Sequence, residues 1–168
     1  MEIPDALKNR RSIRKFSERP VDRRTLDEII RAGTWAPSGL NNQPWKFVVV
    51  QDDRPLVEKL AACTKYAHII RGAPASILVF LDTETSYHRE KDIQAIGACI
   101  QNMLLAIHIK GLGGVWLGEI LNQRLEVERL AEVPEHMELM GVVALGHPAE
   151  KKGPCERKPF EEFIVSRK

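Results

Sequence analysis

The chain has 168 residues, which suits one compact domain or one subunit of a small oligomer. Hydrophobic residues make up 43% and charged residues 29%, ordinary values that argue against disorder. The net charge of +2, from 25 basic and 23 acidic residues, is too balanced to point to nucleic-acid binding from bulk charge.

In chain order, residues 4–10 read as a short helix, and Pro20 sets up the next turn. Asp22 can cap a helix from about Arg23 to Trp35, with Pro37 ending it. Leu26, Ile29, Ile30 and Gly33 give that helix one buried stripe. Phe47-Val48-Val49-Val50 reads as a buried strand. Pro55 fits the first turn of a helix carrying Leu56 and Leu60. Ser76 to Leu81 is a second buried strand.

A long helix is expected from near Asp92, with Ile93, Ile96, Gly97, Ile100, Met103, Leu104 and Ile107 at helical spacing. It ends at Lys110-Gly111, a basic last turn followed by a glycine. Its wide apolar face predicts a place at the centre of the fold or of a dimer interface. A glycine-bounded segment, Gly113 to Gly118, follows. Asn122 is then expected to cap a short helix with Leu125 and Leu130, and Met140 to Leu145 is a third buried strand. From Gly146 onward the chain is polar and broken by prolines, so it must be disordered or packed on another surface. This order predicts an α+β sheet flanked by helices, without regular βαβ alternation.

The amino-terminal MEIPDALKNRR lacks the apolar stretch of a signal peptide, and runs such as Ser76 to Leu81 are too short to span a bilayer. The expectation is a soluble, cytoplasmic protein without a membrane or nucleic-acid partner. Cys63, Cys99 and Cys155 are odd in number and far apart, which fits reduced thiols. His68, His88, His108, His136 and His147 pair with no suitably spaced carboxylate or cysteine, so no metal is expected. His108 reads as structural.

Four segments can carry chemistry. In Arg10-Arg11-Ser12-Ile13-Arg14, alternate residues of an extended chain share a side, so Arg10, Ser12 and Arg14 can line one wall. Two guanidiniums and a hydroxyl suit a phosphate or an electron-rich ring edge; a solvated basic face is the alternative. Ala36-Pro37-Ser38-Gly39-Leu40-Asn41-Asn42-Gln43-Pro44-Trp45 is a stiff polar loop, long for a mere connection, with Trp45 as its anchor. Gly111 to Gly118 brings main chain close to a planar ligand, or makes a tight turn into a strand. Arg157 and Lys158 can add late phosphate contacts, or sit in a solvated tail. No P-loop, HExxH or GxSxG motif is present.

Together these segments resemble the nitroreductase family of FMN-dependent enzymes. The carrying residues are Arg10 to Phe16, Ala36-Pro37-Ser38 with Asn41 and Gln43-Pro44-Trp45, Gln101 to Ala106, Gly111 through Gly118, and Leu145 to Glu150 with Arg157-Lys158-Pro159. They occur in family order over nearly the whole chain. The resemblance implies a mostly antiparallel sheet flanked by helices, with residues 1–168 as a single FMN-binding domain. It implies a homodimer with the flavin at the interface, and residues 147–168 as an arm on the partner subunit.

By the same resemblance, Arg10, Arg11, Ser12 and Arg14 bind the cofactor, with Arg10, Ser12 and Arg14 on the phosphate and pyrimidine edge. Pro37, Ser38 and Gly39 reach the flavin of the partner. Main chain at Trp116, Leu117 and Gly118 lies against the ring near N5, and Arg157 with Lys158 closes on the phosphate. The activity implied is ping-pong transfer from NAD(P)H to a nitroaromatic, quinone or related acceptor, with no catalytic side chain. Alternatives on the same fold are reductive dehalogenation, flavin fragmentation or non-catalytic flavin binding. Only Asp82 to Lys91 lies between the second strand and the long helix, where larger relatives carry extra helices, so the resemblance leaves the acceptor open.

Overall fold

Residues 3–168 are described in a computed structural model; Met1 and Glu2 of the amino-terminal segment lie outside the described residues. Helix α1 spans Ile3–Asn9. Asp22 accepts a hydrogen bond from Thr25 N at 2.8 Å, so α2 (Arg23–Thr34) starts at a capped end, with Trp35 as its C-cap. Strand β1 is Trp45–Gln51. Asp53 caps α3 (Arg54–Ala62) through Leu56 N at 3.0 Å, with Pro55 in the first turn.

Helix α4 (Ala67–Gly72) has no counterpart in the sequence reading, because six residues are too few for an apolar period to register. Then come β2 (Ala75–Asp82), α5 (Arg89–Ile109) and β3 (Gly113–Leu117). Gly111 takes φ +72° just after α5, the left-handed position expected of it. Asn122 does not cap a helix. It lies inside a 3₁₀ turn, Glu119–Gln123, and donates to Glu119 Oε1 at 3.3 Å. Glu119 also accepts from Thr64 Oγ1 at 2.6 Å and Lys65 N at 3.0 Å, and α6 follows at Arg124–Leu130. Strand β4 is Met137–Gly146.

The sheet has the order β1-β2-β4-β3, and every strand pair is antiparallel. β2 is central and buried along its whole length. Its side chains alternate between two apolar layers. Ile77, Val79 and Leu81 pack with Leu26 and Ile29 of α2 and Ile96, Ile100 and Met103 of α5. Leu78 and Phe80 pack with Leu60 of α3, Ile69 and Ile70 of α4, and Val127 of α6. The result is an α+β fold with helices on both faces of an antiparallel sheet.

Helix α5 is the core helix, and by length and composition alone it could cross a membrane. No single apolar run in the sequence showed this, because its hydrophobic residues are interleaved with polar ones. Here the helix is packed on the sheet and on α2, and Ile96, Cys99, Ile100, Met103 and Ile107 are buried. Burial pushes the Cys99 thiol up to about 12, so it stays protonated.

Gly33 lets α2 lie against α5. A Cβ there would sit 2.6 Å from Met103 Cγ and 3.0 Å from Cys99 Sγ. Gly33→Val is therefore expected to cost about 1–3 kcal/mol by overpacking, read as a lower midpoint in urea unfolding.

Candidate functional site

The strip Arg10–Arg14 runs along the outer edge of β3. Ser12 bridges Gly114 in parallel, and Ile13 N donates to Gly114 O at 3.1 Å. Ile13 is buried beneath the strip, against Gly113, where a Cβ would lie 2.7 Å from it. The glycines of this segment thus admit the strip to the sheet edge. The carboxy-terminal chain holds the strip from the other side. Ser17 N donates to His147 O at 2.9 Å, Ala149 N to Lys15 O at 2.9 Å, and Arg14 N to Glu150 Oε1 at 2.7 Å. The Arg14 amide and Lys152 hold the Glu150 carboxyl below its usual range.

The alternation expected of the strip sorts its arginines. Arg11 donates to the main chain: to Gly153 O at 3.2 Å, Lys8 O at 2.8 Å and Arg10 O at 2.9 Å. Arg14 is exposed and folds back on Ser12 O at 3.4 Å. Arg10 is half-buried. Its pKa is lowered first by burial, then by the charges of Arg157 and Arg11, with Cys155 opposing. The arm therefore returns Arg157 to Arg10, although 147 positions separate them. Among the described residues, Arg10, Arg11, Arg14 and Arg157 form no ion pair with a carboxylate. Lys158 instead leans toward Glu162 at 3.9 Å. Arg157 also donates to Cys155 Sγ and to Glu156 O.

His108, in the last turn of α5, adjoins this cluster. Burial and then the charges of Arg10 and Arg11 lower its pKa, so it is neutral at neutral pH. Its Nε2 is shielded without a hydrogen-bond partner among the described residues.

The proline–amide loop lies at the opposite end of α5. Pro37, Ser38 and Gly39 line a cleft of about 300 Å³ with Tyr87, Lys91, Gln94, Ala95 and Ala98. Leu40, Asn41 and Gln43 all have positive φ, at 53°, 55° and 48°. Three left-handed non-glycine residues in one loop need outside support. Trp45 supplies an apolar anchor in the core. Ser38 Oγ accepts Gln43 N at 3.0 Å. Asn42 donates to Asp92 Oδ1 at 2.9 Å.

Asp92 is fully buried and also accepts from Ser86 Oγ at 2.7 Å, Tyr87 N at 3.1 Å and His88 N at 3.2 Å. One carboxylate thus ties the loop to the start of α5. Sequence reading took Asp92 only as a helix start, since nothing local reveals a partner 50 positions away.

Trp116 is 42% exposed and packs over Gly141, where a Cβ would lie 2.4 Å from its Nε1. A register shift lies beside Gly141, between Val79 and Phe80 of β2. Leu117 points into the other core layer, and a Cβ on Gly118 would meet nothing within 4 Å, so its main chain is open. Main chain at Trp116–Gly118 therefore continues along β3 from the strip.

Folding also groups Asp82, Glu84 and His136, whose ligand atoms lie within 4.8 Å of one another. Their separation in sequence hid this cluster. Lys46 Nζ, 3.4 Å from Asp82 Oδ2, supplies its counter-charge.

Within one chain the strip and the loop are held apart. Arg10 and Arg11 neighbour His108, and Ser38 neighbours Gln94 and Ala95. The fourteen positions from Gln94 to His108 span about 20 Å at ~1.5 Å per helical residue.

The nitroreductase family model matches residues 7–64 and 52–147. A Methanothermobacter thermautotrophicus protein described as an NADH dehydrogenase/NAD(P)H nitroreductase is 37% identical over 155 residues, covering 91% of this chain and 81% of that protein. A Desulfovibrio desulfuricans nitroreductase solved in complex with FMN superposes with a TM-score of 0.92 at 46% identity, covering 100% of this chain and 99% of the other. The Vibrio harveyi NADPH:FMN oxidoreductase, solved with NAD+, gives a TM-score of 0.89 at 26% identity, covering 98% of this chain and 76% of the other.

Proposed function

The chain belongs to the nitroreductase family, and from that membership we propose that it is an FMN-dependent oxidoreductase passing electrons from NAD(P)H to a small acceptor such as a nitroaromatic or quinone. The observation that carries this reading is the return of the carboxy-terminal arm to the strip, where Arg11 Nε donates to Gly153 O at 3.2 Å and the charge of Arg157 bears on Arg10, with no ion pair to a carboxylate at Arg10, Arg11 or Arg157 among the described residues. A cluster of like charges costs free energy unless an anion joins it, and a phosphate monoester brings about two negative charges and several acceptor oxygens. When bound, FMN supplies the redox chemistry, with N5 as hydride acceptor.

The protein's part is to bind, orient and shield. Arg10 and Arg157 hold the phosphate, with Arg11 and Lys158 adding positive charge at its rim. Ser12 and Arg14, further along the strip, face the pyrimidine edge, where a guanidinium favours negative charge. Main chain at Trp116, Leu117 and Gly118 lies along the ring. No side-chain acid or base is assigned, and an acceptor's proton comes from water.

The unit proposed is a homodimer, with residues 1–168 as one domain. Strip and loop are too far apart in one chain to grip one ring, but a two-fold axis across α5 would bring each strip opposite the partner subunit's Pro37–Gly39. Trp35, Leu40 and Ile109, at 83%, 85% and 49% exposure, would gain cover there. So would Phe160 and Phe163 of the arm. Donor and acceptor would share one slot in turn, which gives ping-pong kinetics. Three free thiols, two of them buried, suit the cytoplasm.

The purified protein is expected to be yellow, to sediment as a dimer, and to release FMN on denaturation. Under anaerobic conditions NADH or NADPH should bleach the flavin band, and a nitroaromatic or quinone should restore it. A spectrum unchanged by both nicotinamides would leave a binding protein in place of an enzyme.

A further inference from the structure

We infer that Lys91 makes this site selective for aromatic acceptors that carry a negative charge, such as a carboxylate. The inference rests on the oxidoreductase reading above and adds a substrate class to it.

The cleft beside Pro37–Gly39 has about 300 Å³, room for a single aromatic ring with a substituent. Tyr87 forms one side. It lies so close to Gly39 that a Cβ there would sit 1.9 Å from its hydroxyl oxygen, so the loop fixes the ring's place. Tyr87 is nonetheless 43% exposed, which leaves ring surface for a ligand. Pro37, Ala95 and Ala98 add apolar lining.

Lys91 is the cation of this cleft. Its Nζ lies 5.3 Å from the Tyr87 ring centroid. The neighbouring cations are engaged: Arg89 and Arg124 both bind Glu138, and Lys46 pairs with Asp82. Asp92, one position on, spends its carboxylate on Ser86, Asn42 and two main-chain amides. Among the described residues Lys91 has no carboxylate partner. It stands in the first turn of α5 between Glu90 and Asp92, which already complement the helix dipole, so its own charge is what an anionic ligand would meet.

An aromatic ring and an ammonium with no carboxylate partner thus border one opening. On that reading Pro37–Gly39 reach the flavin of the partner subunit, so the cleft they line would open beside the ring. An aromatic anion can place its ring against Tyr87 and its carboxylate on Lys91. A neutral acceptor gains only the first of these contacts.

The test compares benzoate with benzamide as binding probes, by calorimetry on the oxidised protein, and para-nitrobenzoate with para-nitrobenzamide as substrates. Wild type should favour the acid in both pairs. Lys91→Gln should reduce that preference about tenfold, Lys91→Arg should restore most of it, and Lys91→Glu should reverse it. An acid-to-amide ratio that is the same in wild type and Lys91→Gln overturns the inference. So does a change confined to the NADPH-to-NADH preference, which would put the nicotinamide's extra phosphate at Lys91 instead. Failure of the protein to oxidise either nicotinamide would count against the oxidoreductase reading alone, because the calorimetric ratio still judges Lys91.

Discussion

Replacing Arg10 and Arg14 together with alanine is expected to weaken FMN binding by roughly two to four orders of magnitude, since each lost charge-assisted hydrogen bond is worth about 1.5–3 kcal/mol. The two side chains differ in setting. Arg10 is half-buried beside Arg157 and Arg11, and removing it takes out the centre of the cationic cluster. Arg14 is exposed, so its single replacement should cost less.

The cofactor-free protein should behave in the opposite sense. With no anion present, Arg10 repels its neighbours, and its loss relieves them. The double variant should therefore lose FMN without losing thermal stability when both forms are compared free of cofactor. Fluorescence titration of FMN, paired with melting of the apoprotein, reads both outcomes. A double variant that held FMN as tightly as the parent would refute the phosphate and ring assignments. One that lost FMN only because it unfolded would show a lowered apoprotein Tm.

Asp92→Ala is expected to cost about 3–5 kcal/mol of stability, because it takes the buried acceptor from four part-buried donors at once. The donors are Asn42 Nδ2, Ser86 Oγ, and the amides of Tyr87 and His88. For a chain of this size the loss corresponds to a fall in Tm of roughly 10–15 °C. Asp92→Asn keeps an acceptor oxygen and should lose less. The damage should reach function, since the loop with three left-handed residues would lose its polar anchor and retain FMN poorly.

Asp92 also sets an acid limit on the fold. Burial pushes its pKa up, but the hydrogen bonds from Ser86, Asn42, His88 and Tyr87 outweigh burial, and the folded pKa is depressed. A depressed carboxyl stabilises the fold above its unfolded value, near pH 4, and that contribution fades as pH falls through the folded value. The difference in stability between wild type and Asp92→Asn should therefore narrow on acidification below about pH 4.

Local chemistry determined much of this protein in advance. Asp22 and Asp53 as helix caps, Gly111 after the long helix and the β-branched runs of β1, β2 and β4 act over a few residues, so sequence spacing reports them directly. The same holds for the apolar face of α5, which predicted a central helix. The segments that resemble the nitroreductase family were legible because each is contiguous. Tertiary structure decided what distant residues do to one another. It brought the charge of Arg157 to Arg10, tied the loop to α5 through Asn42 and Asp92, put Asn122 inside a 3₁₀ turn in place of a helix cap, and left Lys91 beside Tyr87 without a carboxylate partner among the described residues. It also set the strip and the loop at opposite ends of one helix. Coulomb forces and hydrogen bonds depend on distance in space, and no local period or cap encodes a contact made across fifty or a hundred positions.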